Sequence, residues 1–194
     1  MMLSRKQYLV AVEVPWMVSP SVPYLQLNAS EAAADDLAAV SFIAHFGLEW
    51  PSTQLNEKRF EKVHSPYASG IKLTPPTGPF QLVKVKFASA IASRMLPGFS
   101  DREIINPEIY DSSNLPCGYS PGQSISEWKR QFQHTWVQNR LCPDPRMYEV
   151  SSSLWIEELG VGGEFKHFLI EGHDAYVEII AKKWDWISEG GLPH

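Results

Sequence analysis

Cysteines are scarce in this chain, and they show no metal-binding spacing. Cys117 and Cys142 are the two cysteines among 194 residues. They form no C-x-x-C pair, and the six histidines show none of the H-x-x-x-H or H-E-x-x-H spacings of zinc sites. We therefore expect no metal site and a reducing compartment, although the sequence leaves open a disulfide between the two cysteines.

Long apolar runs and clustered positive charge are also missing. No stretch approaches the roughly 20 apolar residues that span a bilayer. Glu13 and Pro15 interrupt an N-terminal segment that otherwise imitates a signal peptide. The formal net charge is −5, whereas binding to phosphates requires clustered cations. These absences predict a soluble, cytoplasmic protein with neither a membrane nor a nucleic acid as its partner, and they leave the oligomeric state open.

Complete catalytic motifs are missing as well. There is no glycine-rich phosphate loop, so neither ATP nor a dinucleotide is expected, and we predict no cofactor. Residues 118–122 match the G-x-S-x-G pattern of the α/β-hydrolase nucleophile elbow. However, the residue after Ser120 is Pro121, which lacks the backbone N–H that the elbow contributes to its oxyanion hole. We therefore reject a hydrolase of this class.

What the chain does contain is enough apolar material for one packed domain. Hydrophobic residues make up 44% of the sequence and charged residues 20%, which is ordinary for a globular protein. A chain of this length buries roughly 70% of its unfolded surface. We predict a single α+β domain over residues 1–194, with a mainly antiparallel sheet and a long irregular segment at 97–123.

The first of two predicted amphipathic helices runs from about Ser30 to Phe46. Asn28 and Ser30 offer N-cap oxygens, and Glu31 stands three residues after Asn28, as in a capping box. Apolar side chains then keep helical spacing until Gly47, which is a natural C-terminal stop.

The second predicted helix begins at a capping box formed by Ser124 and Glu127 and ends near Leu141. Its aromatic stripe is typical of a helix that covers a sheet. A short helix is also plausible around 55–63, whereas residues 88–96 fit a strand or a helix equally well.

Alternating apolar residues predict strands at 7–14, 80–87, 147–159, 165–171 and 175–186. Short links join the last three strands, and short links exclude parallel crossovers. We therefore predict a C-terminal three-strand antiparallel meander covered by the two helices.

The turn at residues 172–174 determines which side chains of the last hairpin share a face, because side chains alternate along a strand. With a two-residue loop, one row is apolar and is assigned to the core: Phe168, Ile170, Val177, Ile179 and Ala181. The other row is mixed: His167, Leu169, Glu171, Tyr176, Glu178, Ile180, Lys182, Trp184 and Trp186. This mixed row is too polar for a core and too aromatic for a plain surface, so we interpret it as a binding surface.

The first functional hypothesis is a non-catalytic intracellular accessory or binding protein. Its partner is another protein or a small apolar molecule. The residues predicted to make the contact are Trp155, Glu171, Tyr176, Trp184 and Trp186.

The alternative is a small-molecule enzyme of the cyclase, isomerase or lyase type. His167 is diagonal to Glu178 across the ladder, so the carboxylate can orient a histidine general base, with Tyr176 on the same face. This hypothesis requires a cavity above His167 and uses segment 97–123 as a lid. The same residues also fit a solvated sheet face, and the same segment also fits a plain surface loop.

Overall fold

The computed structural model describes residues 6–29, 38–46, 80–100, 103–116 and 122–190. Within these ranges there are two helices, α1 (Ile125–Asn139) and α2 (Leu154–Glu158). The strands of the same ranges are β1 (Gln7–Ala11), β2 (Trp16–Val18), β3 (Leu25–Ala29), β4 (Ala38–Phe46), β5 (Phe80–Ala88), β6 (Ala92–Pro97), β7 (Tyr110–Asp111), β8 (Met147–Ser151), β9 (Lys166–Glu171), β10 (Ala175–Ala181) and β11 (Lys183–Gly190). Neither α1 nor α2 is long and apolar enough to cross a membrane.

The strands form two sheets. The first sheet has the order β6–β10–β9–β8–β1–β7, and the second has the order β11–β5–β4–β2, with β3 also pairing with β4. Among the described strands, β1 and β7 pair in parallel, and the other pairs are antiparallel. The protein therefore combines helices with mainly antiparallel sheets, which agrees with the predicted class.

Long bent strands carry the chain from one sheet into the other. Lys182 alone separates β10 from β11, and residues 89–91 separate β5 from β6. Backbone hydrogen bonds continue across this bend, from Ile91 N to Ile180 O and from Lys182 N to Ala88 O. At the other edge, the chain between β1 and β2 is hydrogen bonded to the residues just before β8 and to Met147, the first residue of β8. The two sheets are therefore halves of one curved, barrel-like layer.

The core lies between the two halves of this layer. Large buried side chains contributed by both sheets include Trp16, Phe42, Phe46, Val83, Val85, Phe87, Met147, Phe168, Ile170, Val177 and Ile179. The apolar row predicted for the last hairpin is part of this core. Glu171 pairs with Tyr176, and Gly172 N donates to Ala175 O, so the loop has the two residues that the prediction assumed.

The helix predicted for residues 30–46 is wrong over 38–46, which form β4. Val40 and Ala44 fit helical spacing, but they fit period-two alternation equally well. Phe42 and Phe46 complete the alternating row, and both are fully buried in the core. Burying that row against the other sheet decides the outcome. Residues 30–37, like the short helix considered at 55–63, lie outside the described ranges.

The strand predicted for residues 147–159 is correct only as far as Ser151. Ser152 has a positive φ of 55°, and the side chain of Ser153 accepts a hydrogen bond from Ile156 N at 3.2 Å. This N-cap starts the short helix α2. Trp155 therefore lies on a helix, not on the exposed face of a strand.

The helix predicted from the second capping box is present as α1. Ser124 N donates to Glu127 Oε2 at 3.0 Å, and Glu127 N donates to Ser124 Oγ at 3.2 Å. Phe132 and Trp136 are buried near Met17 of β2, so α1 packs beside the second sheet.

The prediction of a meander covered by two helices is not confirmed. Residues 38–46 of the first predicted helix form strand β4, and the second predicted helix, α1, packs beside the other sheet. Of residues 88–96, which fitted either element, residues 92–96 belong to strand β6 (Ala92–Pro97).

Candidate functional site

The mixed row of the β9–β10 hairpin lies on the outer face of the first sheet, but this face is covered. His167 and Glu178 are 1% and 0% exposed. One cover is helix α2, whose Trp155 ring lies 5.4 Å from the His167 ring. The other is segment 103–116, whose apolar residues pack against the sheet: Ile105, Tyr110 and Leu115. Because helix α2 and segment 103–116 both pack on this face, its side chains are buried in contacts with protein. This explains why the row contains apolar as well as polar residues.

Glu178 is the centre of a charged cluster under these covers. Arg94 Nε lies 2.5 Å from Oε2, and the Tyr110 hydroxyl donates to Oε1. His167 Nε2 lies 3.2 Å from Oε1. Burial alone raises the pKa of Glu178, but the contacts with His167, Arg94 and Tyr110 outweigh burial and lower the pKa to about 2. Burial and the neighbouring carboxylate raise the pKa of Tyr110, so Glu178 is the charged member of this pair.

The other side of the His167 ring is bonded to the N-cap of α2. Nδ1 lies 2.9 Å from Ser153 Oγ. The same oxygen accepts from Ile156 N, so Ser153 joins the imidazole ring to the first turn of α2. Nε2 is at contact distance from the carboxylate but is not directed at it well enough for a regular hydrogen bond. The cluster therefore links α2 and segment 103–116 to the sheet.

The structure brings together five of the residues predicted for a site. His167 and Glu178 are in contact, and Tyr176, paired with Glu171, lies next to Glu178 on the same face. Burial, followed by the Glu178 charge, raises the pKa of Tyr176. Trp155 covers His167. The guanidinium carbon of Arg94 lies 4.1 Å from the centre of the Trp155 ring.

Trp184 and Trp186 were predicted to share this face, and that assignment is wrong. Both belong to β11 in the second sheet and pack against the core. The Trp186 ring lies 5.8 Å from that of Trp16 and 5.9 Å from that of Phe46. The bend at Lys182 carries the chain into the other sheet and reverses the alternation, so both tryptophans turn inward.

A cleft of about 520 Å³ opens beside the buried cluster. Its lining comes from the first sheet, from segment 103–116 and from the loops that adjoin Pro20 and Arg146. The lining residues are Leu9, Pro20, Glu103, Ile104, Ile105, Pro107, Tyr110, Ser112, Leu115, Asp144, Arg146, Tyr148, Glu171 and His173. Tyr110 belongs both to this lining and to the Glu178 cluster, whereas His167 does not line the cleft.

The polar end of the cleft is built around Glu171. Arg146 Nη2 lies 2.5 Å from Glu171 Oε1 and 3.0 Å from Gly172 O. The Tyr148 hydroxyl lies 2.7 Å from Asp144 Oδ1 and 3.4 Å from Glu171 Oε2. Burial raises the pKa of Glu171, and the charge of Arg146 offsets only part of this effect. Burial, followed by Asp144, also raises the pKa of Tyr148 well above its ordinary value, so this phenol stays protonated.

Backbone geometry positions these side chains. Arg146 has a positive φ of 57°, which turns the chain into β8. Its carbonyl oxygen accepts from Glu171 N at 2.8 Å, and its own N–H donates to Asp144 Oδ1 at 3.3 Å. Arg146 therefore fixes the end of the β9–β10 hairpin with its backbone and Glu171 with its side chain. Within the described ranges, no group of three or more His, Cys, Asp or Glu side chains is placed to hold a metal ion.

Several residues of the cluster and the cleft are absent from the sequence-based predictions: Arg94, Tyr110, Asp144, Arg146 and Ser153. Arg94 lies in a stretch that fits two kinds of element, and Tyr110 lies in a loop without periodicity. The one local signal was a run of three serines, 151–153, in front of an apolar group, which is compatible with an N-cap. Comparison of the chain with protein-family models, with curated proteins and with solved structures gives no match.

Proposed function

We propose that the protein binds a small organic molecule in the cleft between β8, β9 and segment 103–116. The observation that carries this proposal is the cleft itself. Its volume of about 520 Å³ falls in the range of roughly 300–1,000 Å³ that small-molecule sites occupy. Such sites combine apolar walls with a few convergent polar groups. Here the walls include Leu9, Ile104 and Leu115, and the polar groups surround Glu171.

This proposal keeps the hypothesis of a binding protein with a small ligand but relocates the contact. Of the residues predicted to bind a partner, Glu171 lines the cleft, whereas Trp184 and Trp186 are partly buried and pack against the core. We do not propose a catalytic role for His167. Its ring lies under Trp155 and outside the cleft lining, so a ligand in the cleft does not reach it.

The proposal is tested by blocking the cleft. Ser112 is exposed and lines the cleft, while nearby Asn114 is exposed and does not. We expect uncharged aromatic and aliphatic fragments, screened by ligand-detected NMR, to bind the natural protein. Ser112→Trp should weaken their binding about tenfold or more because an indole occupies part of the cleft, whereas Asn114→Trp should leave it unchanged. Thermal unfolding verifies that both variants fold. Fragments that bind Ser112→Trp as tightly as the natural protein would contradict the proposal.

A further inference from the structure

We infer that the ligand of the cleft carries a cationic hydrogen-bond donor, an ammonium or amidinium group, attached to an apolar body. This inference rests on the proposed function, because it assumes that the cleft is the binding site. It adds the chemical class of the ligand. It follows from the donors, the acceptors and the charges at the polar end of the cleft.

The first observation is a shortage of donors at Glu171. Its Oε1 accepts from Arg146, but its Oε2 has only the Tyr148 hydroxyl, at 3.4 Å. That hydroxyl has a single hydrogen, and Asp144 Oδ1 lies closer, at 2.7 Å. When the hydrogen points to Asp144, Glu171 Oε2 faces a lone pair of the phenol oxygen. Among the described residues, no other donor reaches Oε2, and the Glu171 side chain is 17% exposed, so this oxygen can accept from a ligand in the cleft.

The second observation is the balance of charge. Asp144 and Glu171 are neighbouring carboxylates, and the guanidinium of Arg146 contacts only Glu171 of the two, through an Nη2 that also donates to Gly172 O. Glu103 adds a further carboxylate to the lining. The remaining titratable groups of the lining are the phenols of Tyr110 and Tyr148, whose raised pKa values keep them neutral, and His173. The polar end therefore favours a positive charge.

Below its raised pKa, Glu171 carries a proton that supplies such a donor when no ligand is bound. A protonated carboxyl donates to the Tyr148 oxygen and removes one of two neighbouring negative charges, and the raised pKa of Glu171 agrees with this. A cationic ligand then takes the place of that proton. Its affinity should rise as the pH increases through the pKa of Glu171, because protons compete with the cation below this pKa.

The apolar body follows from the rest of the lining. Ile104, Ile105 and Leu115 are half-buried and offer aliphatic surface within the same cleft. The experiment uses three planar probes of nearly equal size, namely benzamidinium, neutral benzamide and anionic benzoate. Their dissociation constants are measured by calorimetry or NMR titration at pH 8 and pH 5. We expect benzamidinium to bind about tenfold more tightly than benzamide at pH 8, benzoate to bind most weakly, and the preference for benzamidinium to shrink at pH 5.

Glu171→Gln is the decisive variant. Glutamine keeps an oxygen for Arg146 and offers an N–H to Tyr148, so the fold should persist while the preference for benzamidinium is lost. Glu108→Gln is the matched control, because Glu108 is exposed in the same segment but does not line the cleft. This control should retain the preference.

The possible failures are distinguishable. Equal binding of benzamidinium and benzamide, with both lost in Ser112→Trp, would overturn the inference while the proposed function stands. Tightest binding of benzoate would likewise overturn it, in favour of an anion held by Arg146. If none of the three probes binds at millimolar concentration, the cleft is not a small-molecule site of this kind and both proposals fail.

Discussion

Glu178 is a carboxylate with no access to solvent, and only its neighbours make this arrangement stable. Transferring an unpaired carboxylate from water to a protein interior costs several kcal/mol. Here a cation, a phenol and an imidazole surround the carboxylate oxygens. The Arg94 side chain is 43% exposed, so the cation stays partly hydrated while the carboxylate is enclosed. In this arrangement Glu178 bears most of the desolvation cost of the ion pair, because Arg94 remains partly hydrated.

Replacing Glu178 by Gln should therefore destabilise the fold and change its pH dependence. The pKa of Glu178 falls from 4.5 to about 2 on folding, which corresponds to a contribution on the order of 3 kcal/mol. Because the pKa is lowered, this contribution is fully present above pH 4.5 and is lost as the pH falls towards 2. Urea unfolding at pH 7 and pH 3 measures it. Glu178→Gln should be much less stable than the natural protein at pH 7 and closer to it at pH 3.

Glu149→Gln provides the control for this prediction. Glu149 pairs with Lys166 at 2.7 Å, but both side chains are substantially exposed, so its loss should cost less than about 1 kcal/mol. Equal stability of Glu178→Gln and the natural protein at pH 7 would show that the buried cluster contributes no net stability.

The sequence predicted one contact of this cluster and missed the others. The contact between His167 and Glu178 follows from the register of a local hairpin, which a two-residue turn determines. Arg94 and Tyr110 are 84 and 68 residues from Glu178 along the chain. Neither Arg94 nor Tyr110 belongs to a local sequence pattern that could predict a contact with a residue so far along the chain. Only the order of the strands and the path of segment 103–116 bring them to the carboxylate.

Among the elements, helix α1 shows how far a local signal determines structure. Ser124 and Glu127 exchange hydrogen bonds between side chain and backbone in both directions. Ser124→Ala should lower the free energy of unfolding by about 1 kcal/mol, because the first turn loses a bonded acceptor. Ser126→Ala, two residues further on, removes a hydroxyl that makes no cap, and alanine is the better helix former. Chemical denaturation should therefore show loss in the first variant and no loss or a small gain in the second. Equal effects would contradict the capping role.

Elements without such a signal depended on tertiary contacts. In β4, Val40 and Ala44 satisfy both helical and strand spacing, and burial of Phe42 and Phe46 against the core selects the strand. In α2, five residues are too few for a period to be visible, and contacts with His167 hold the helix on the sheet. The bend at Lys182 also cannot be predicted from the alternation of apolar and polar residues. It moves Trp184 and Trp186 from the predicted binding face to the second sheet, where they pack against the core.

At the scale of the whole molecule, the continuity of the bent strands predicts how the protein unfolds. β5 runs into β6 and β10 runs into β11, with backbone hydrogen bonds across both bends. The side chains of both sheets fill one core. One sheet therefore has no boundary along which it separates from the other without breaking these strands. This is the physical basis for expecting the single cooperative unit that the sequence predicts.

Native-state hydrogen exchange measures this directly. Hydrogen-bonded amides of β5 in the second sheet and of β9 and β10 in the first should exchange through the same global opening, with the same free energy and the same dependence on denaturant. Amides at the exposed end of α2 should exchange sooner, because that helix is short and none of its side chains is buried. Two groups of slow amides, one for each sheet and with different opening free energies, would show that the sheets unfold separately. In that case the shared core would not make them one unit.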